Sequence, residues 1–200
     1  MTLDLWIALG VFLLFAIPLA RLTIYQRQYW RIEDVELFIR PLNLEDFERI
    51  TDPAEEWSLR RFTSVREFKK LKRQKIRLCA EHLSRMAHNA EIIQGWSRAE
   101  YTYLLSHSLN PGDERAHLMF QISEAATEVR IYTLIAQLRV CLWLALRADL
   151  FPLWMMPTLD GIRKSAGVDV LATYKQLTEL AKLGSRLYGS DSSERICHLL

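Results

Sequence analysis

The sequence predicts an all-α fold: an N-terminal transmembrane helix, then a long antiparallel helical hairpin with a third packing helix. Three observations carry this. Residues 5–20, LWIALGVFLLFAIPLA, hold no charged side chain. Between Pro53 and Pro111 no proline intervenes, and Gly95 is the lone glycine. Beyond the anchor, apolar residues recur at spacings of three and four, with no alternating β-branched runs.

Spanning a bilayer takes about 20 apolar residues at about 1.5 Å rise each. The run 5–20 reaches that length through Leu22, Ile24 and Tyr25, with Arg21 snorkelling to the headgroups. Trp6 at one end and Tyr25, Tyr29 and Trp30 at the other fit the two aromatic belts of a spanning helix. Pro18 is tolerated in such a helix. A cleaved signal peptide needs basic residues ahead of its apolar run, and here Asp4 stands there without any Lys or Arg. A helix buried in the protein core is the other rival. Arg21, Arg27 and Arg31 follow the span, so the positive-inside rule places the N-terminus outside and the remainder in the cytoplasm. Cys79, Cys141 and Cys197, odd in number and without a CxxC, suit reduced thiols. A second span over 134–157 is disfavoured by Arg139, Arg147 and Asp149.

The 200-residue chain is 50% hydrophobic and 25% charged, which is globular composition, and its net charge of +2 gives no overall bias toward polyanions. Residues 22–39 continue as an amphipathic helix that Pro41 ends. Asn43 caps a short helix, LEDFERI, with acids in its first turn. Asp52-Pro53-Ala54-Glu55 starts the next, with a good cap, proline in the first turn and Glu in a capping-box position. One long helix is expected over 53–107, bent at Gly95 if anywhere. Asn110-Pro111-Gly112-Asp113 makes a turn, and a second long helix runs over about 114–149. Phe151-Pro152 breaks it. A third helix runs from about 167 to 188, with Gly189 as its stop. The expected division is 1–25 anchor, 26–51 juxtamembrane amphipathic and acidic helical linker, 52–188 cytoplasmic bundle and 189–200 flexible tail.

Ile76, Cys79, Leu83, Met86, Ala90 and Ile93 form a three-and-four seam. Ile122, Ala126, Val129, Thr133, Ala136, Val140 and Trp143 form its complement, as in a left-handed hairpin. Val168, Leu171, Leu177, Leu180, Ala181, Leu187 and Tyr188 would cover the pair. Folding about Pro111 pairs residues whose numbers sum to about 220, which leaves residues 53–70 overhanging. The same register puts Lys69 and Lys72 on seam positions, where an unpaired lysine is costly. The overhang is therefore expected to be solvated or to meet something acidic.

It is also the most charged stretch. Arg60, Arg61, Arg66, Lys69, Lys70, Lys72, Arg73, Lys75 and Arg77 stand against Glu67 alone. This is either a solvated face balanced by the acidic stretch 33–56 or a site for anionic lipid. Nucleic acid is disfavoured because only Phe62 and Phe68 interleave the cations. Phe151, Leu153, Trp154, Met155 and Met156 lie between two prolines, and are candidates for partner or membrane contact.

No HExxH, GxSxG, P-loop or GxGxxG occurs, and Glu114-x-x-His117 lacks the second such pair that a di-metal bundle needs. No catalytic residue, cofactor or metal is predicted. The C-terminal Cys197-His-Leu-Leu has the length of a prenylation box but not its aliphatic interior. The preferred expectation is a membrane-tethered, non-enzymatic scaffold or adaptor acting through an unknown protein partner or a homo-oligomer. The alternative is a peripheral module that binds anionic lipid through the basic helix. A third is an enzyme using Glu81, His82, His88 and Glu91, which share neighbouring turns of one helix.

Overall fold

The computed structural model describes residues 35, 37–107, 114–145 and 158–187. Within them the chain is mostly helical. α1 is Leu44–Ile50, α2 Pro53–Phe62, α3 Val65–His107, α4 Glu114–Ala145, α5 Leu159–Arg163 and α6 Val170–Arg186. Two short strands, β1 (Lys164–Ser165) and β2 (Val168–Asp169), join α5 to α6. The expected anchor, the 151–157 segment and the C-terminal tail lie outside the described residues. No described helix is long and apolar enough to cross a membrane.

α3 and α4 form the expected antiparallel hairpin. Ile76, Cys79, Leu83, Met86, Ala90 and Ile93 are buried against Ile122, Ala126, Val129, Thr133, Ala136 and Val140. Polar contacts beside the seam show its register. Gln94 Nε2 donates to Thr127 Oγ1, Arg98 Nε donates to Ser123 Oγ at 3.1 Å, Glu91 pairs with Arg130, and Tyr101 packs on Phe120. In each of these pairs the two residue numbers sum to 221.

α6 lies across both helices. Its Tyr174 is fully buried and its Gly184 approaches the hairpin so closely that a Cβ there would lie 2.7 Å from Ile122 Cδ1 and 3.2 Å from the Trp96 ring. Val170, Leu171, Leu177 and Ala181 complete the buried stripe, whereas the expected Leu187 is exposed. The helix begins at Val170, later than expected, because Ala166 and Gly167 turn the chain with φ of 55° and 81°. Two successive positive φ values match the tight turn of a two-residue hairpin loop. Asp169 then caps α6 through Leu171 N and accepts a bidentate bond from Arg163. The two-residue ladder departs from the helix-only expectation, and it reverses the chain from α5 into α6.

The helix expected over 53–107 is two helices. Thr63 is extended (φ −119°, ψ 154°) and ends α2. Ser64 then caps α3: its hydroxyl accepts from Glu67 N, while its backbone N and Oγ donate to Glu67 Oε2 at 3.1 and 2.6 Å. This is a reciprocal capping box. α2 thereby folds back on α3. Asp52 caps it through Ala54 N with Pro53 in the first turn, as expected, but Glu55 faces Lys75 (3.0 Å) rather than closing a box.

The fold-back follows from what the first turns of α3 carry. By the observed register Ala145 stands opposite residue 76, so residues 65–75, about 16 Å of helix, have no described residue of α4 opposite them. Their inner face carries buried Phe68 and Lys72, the latter 5% exposed. α2 supplies what Lys72 requires. Glu56 Oε1 accepts from Lys72 Nζ at 2.5 Å, and Glu56 Oε2 accepts from Leu159 N at 2.9 Å, so one carboxylate joins α2, α3 and the N-terminus of α5. The lysine expected to be solvated or to meet an acid is buried against one.

The chain entering α1 is clasped to the middle of α3. Arg40 leaves the helical path ahead of Pro41, and its N and O pair with Asn89 Oδ1 and Nδ2 at 2.9 Å each. Asn89 Nδ2 also donates to the Tyr174 hydroxyl at 2.9 Å. Asn43 caps α1 as expected, and buried Phe47 packs on His82 with ring centroids 5.6 Å apart. His82 Nδ1 is buried without a hydrogen-bond partner.

Two outcomes are expected. Glu56→Gln leaves Lys72 buried beside a neutral amide and lowers unfolding free energy by about 3 kcal/mol, whereas Glu56→Gln combined with Lys72→Met recovers most of that loss; denaturant unfolding of the two variants measures both. Burial, with Arg85 adding to it against Glu81 and Asp46, pulls His82 below its ordinary value of 6.5. The unfolded chain therefore binds the proton first on acidification, and stability falls as pH drops through about 6.5. His82→Leu flattens that fall in melting temperatures compared between about pH 7.5 and 5.5.

Candidate functional site

The nine basic residues of the overhang separate by helix face. Lys72 and Lys75 turn inward to Glu56 and Glu55 of α2. Arg66, Lys70 and Arg77 share the outer stripe of α3 and are exposed, with Lys69 and Arg73 half-exposed among them. Arg60 and Arg61 stand exposed on the last turn of α2. Glu67, the one acid in the stretch, is held below the usual carboxylate range by hydrogen bonds from the Ser64 side chain and backbone. Its charge is committed to the first turn of α3.

Sequence reading missed the apolar part of this elbow. Phe62 is 79% exposed, Trp57 61% and Val65 60%. The Arg61 guanidinium carbon lies 5.3 Å from the Trp57 ring centre and 5.8 Å from that of Phe62, within cation–π range. Trp57 falls inside the helix expected over 53–107, which the structure breaks after Phe62. The S-x-x-E at Ser64–Glu67 was the signal that the chain breaks there and exposes both aromatic rings at a corner. An open cleft of about 890 Å³ adjoins the elbow, lined by Val65, Arg66, Glu67, Lys69, Lys70 and Arg73.

A second surface lies on α4. Beyond its seam to α3, this helix carries Ile131, Ile135, Leu138 and Leu142, spaced four, three and four. That is the same spacing as Val129, Thr133, Ala136 and Val140, turned to another face. Ile131 is 45% and Leu142 58% exposed, and Ile135 and Leu138 are half-buried between them. Eleven residues before Ile131, close to three helical turns, Phe120 is exposed on the same side. Among the described residues the ridge is left partly open, most at its two ends.

The residues offered as an enzymatic alternative have other partners. Glu81 pairs with Arg85 at 2.6 Å, His82 packs on Phe47, His88 Nε2 bonds the Phe38 carbonyl at 3.1 Å, and Glu91 lies 3.7 Å from Arg130. Arg130 also donates to Gln94 Oε1, and burial pulls its guanidinium below the usual value, opposed by Glu91. Among the described residues no group of three His, Cys, Asp or Glu side chains is arranged to hold a metal ion. Cys79 is sealed in the seam, where burial pushes its thiol up to about 12, while Cys141 is exposed beside Leu142. Phe151, Leu153, Trp154, Met155 and Met156 lie outside the described residues.

Comparison of the chain with protein-family models, curated proteins and solved structures returns no match, so the reading of these two surfaces rests on their own chemistry.

Proposed function

We propose that the protein is a non-enzymatic scaffold, tethered to a membrane by residues 5–20 with its helical domain on the cytoplasmic side. It acts by seating a helix of a protein partner or of a second copy along the α4 ridge. The observation that carries this reading is the second apolar row at a helix-packing spacing, with Ile131 45% and Leu142 58% exposed and Ile135 and Leu138 partly buried between them. A helix that is apolar on every side is ordinarily covered on every side. Among the described residues α4 has two sides filled, by α3 and α6, and the side of this row is left over.

The exposed thiol of Cys141 reports on that side directly. With Cys197→Ser removing the tail thiol and Cys79 buried, a short bismaleimide should link two chains in detergent micelles through Cys141. Ile131→Glu with Leu142→Glu should abolish the link and shift the light-scattering mass toward monomer while leaving the melting temperature within a few degrees. A chain that is monomeric at every accessible concentration, yields no link and captures no partner through wild-type but not variant ridge overturns the proposal.

A further inference from the structure

We infer that the elbow between α2 and α3 is an interfacial docking surface for an anionic lipid bilayer, with Trp57 and Phe62 entering the headgroup region and Arg60, Arg61, Arg66 and Lys70 engaging lipid phosphates. This rests on the membrane tether of the scaffold reading but not on the α4 ridge, which is a different surface with a different ligand.

Charge separation is the first argument. The acids of α2, Glu55 and Glu56, are turned inward onto Lys75 and Lys72. That contact removes negative charge from the surface as well as two lysines. What remains outside is cationic apart from Glu67: Arg60, Arg61, Arg66 and Lys70 make no ion pair among the described residues. Juxtamembrane basic residues gain from the negative potential of the cytoplasmic leaflet, and the gain decays within a Debye length of about 8 Å.

Shape is the second. Phe62 ends α2 and Val65 begins α3, so their exposed apolar side chains sit at the turn between two helix termini. A strand of nucleic acid is held along a basic groove with aromatic rings set to stack successive bases, and the basic cleft beside Val65 is lined by no aromatic ring. Exposed Phe62 and Trp57 flanked by arginines instead suit insertion between headgroups, where aromatic rings favour the interface and arginine stays at phosphate depth. Arg61, lying over both rings, keeps its charge at the base of the apolar tip.

The test uses the 200-residue chain with Cys141→Ser, Cys197→Ser and Val65→Cys carrying an environment-sensitive fluorophore. It is reconstituted into vesicles of phosphatidylcholine alone or with phosphatidylserine. The expected result is a blue-shifted fluorophore quenched by shallow spin-labelled lipid in the anionic vesicles at low salt, and neither change in neutral vesicles or at high salt. Arg66→Glu with Lys70→Glu should weaken the effect roughly thirtyfold in its dependence on phosphatidylserine. Trp57→Ala with Phe62→Ala should abolish shallow quenching, and an unchanged melting temperature shows the fold intact. A fluorophore in water in both vesicle types overturns the inference. So does one that responds equally to a soluble single-stranded oligonucleotide or to poly-glutamate in neutral vesicles, because the surface then binds polyanions in general. Failure here leaves the Cys141 link untouched, so the two proposals fail separately.

Discussion

The fold-back of α2 along the first turns of α3 governs the rest of this structure. Residues 65–75, about 16 Å of helix, have no described residue of α4 opposite them, and without α2 they would expose Phe68 and strand Lys72. The chain resolves this with its own preceding segment. α2 folds back, and one Glu56 carboxylate takes the lysine on one oxygen and the first amide of α5 on the other. Lys72 also lies 5.6 Å from the Phe68 ring centre, so the ammonium is enclosed by an anion and an aromatic face. A buried ion pair of this kind adds little over an apolar replacement. Its effect is to specify which face of α2 turns inward, and therefore which residues are left outside.

The polar contacts along the α3–α4 seam work in the same way. The seam is built from small and medium side chains such as Ala90, Ala126 and Ala136, which alone tolerate a slip of one heptad poorly but without a strong penalty. Gln94, buried and bonded to both Thr127 and Arg130, has no equivalent partner one turn away. Arg98 with Ser123 and Glu91 with Arg130 repeat the restriction. Asn89 does the same for the third layer, tying the α1 approach and Tyr174 of α6 to one point on α3. Each group is satisfied in one register and unsatisfied in the others, where a buried polar group costs about 1–3 kcal/mol.

These features were unequally legible in the sequence. Hairpin, seam and register followed from periodicity and one Asn-Pro-Gly-Asp turn, because helix pairing at short range depends on little else. The caps at Asn43 and Asp52 were equally plain. The break at Thr63–Ser64 was written as Ser-x-x-Glu but contains neither proline nor glycine, so the unbroken helical propensity on each side concealed it. The elbow's aromatic tip was hidden for the same reason: exposure of Trp57 and Phe62 depends on where α2 turns. Lys72 was recognised as misplaced for a seam, yet its partner sixteen residues earlier required the fold-back to be known. The α4 ridge was visible as spacing all along, but one seam was enough to account for a hairpin.

The elbow lies at one end of α3 and the α4 ridge beside its middle, and the distance between them relates the two proposals. By the register of the seam, Leu142 stands opposite residue 79 and Ile131 opposite residue 90 of α3. Those levels are roughly 21 and 38 Å along the helix from Val65. An elbow seated on lipid therefore places the α4 ridge at a defined distance from the contact point, beyond the Debye screening length of about 8 Å. Charge at the elbow then sets how the domain stands on the leaflet without acting on whatever the ridge binds. On the proposed reading the partner at the ridge would be selected by apolar packing, which charge screening does not weaken. A tether alone would leave the ridge free to face any direction, and a second, weaker contact at the elbow is what would hold it toward neighbours in the plane of the membrane.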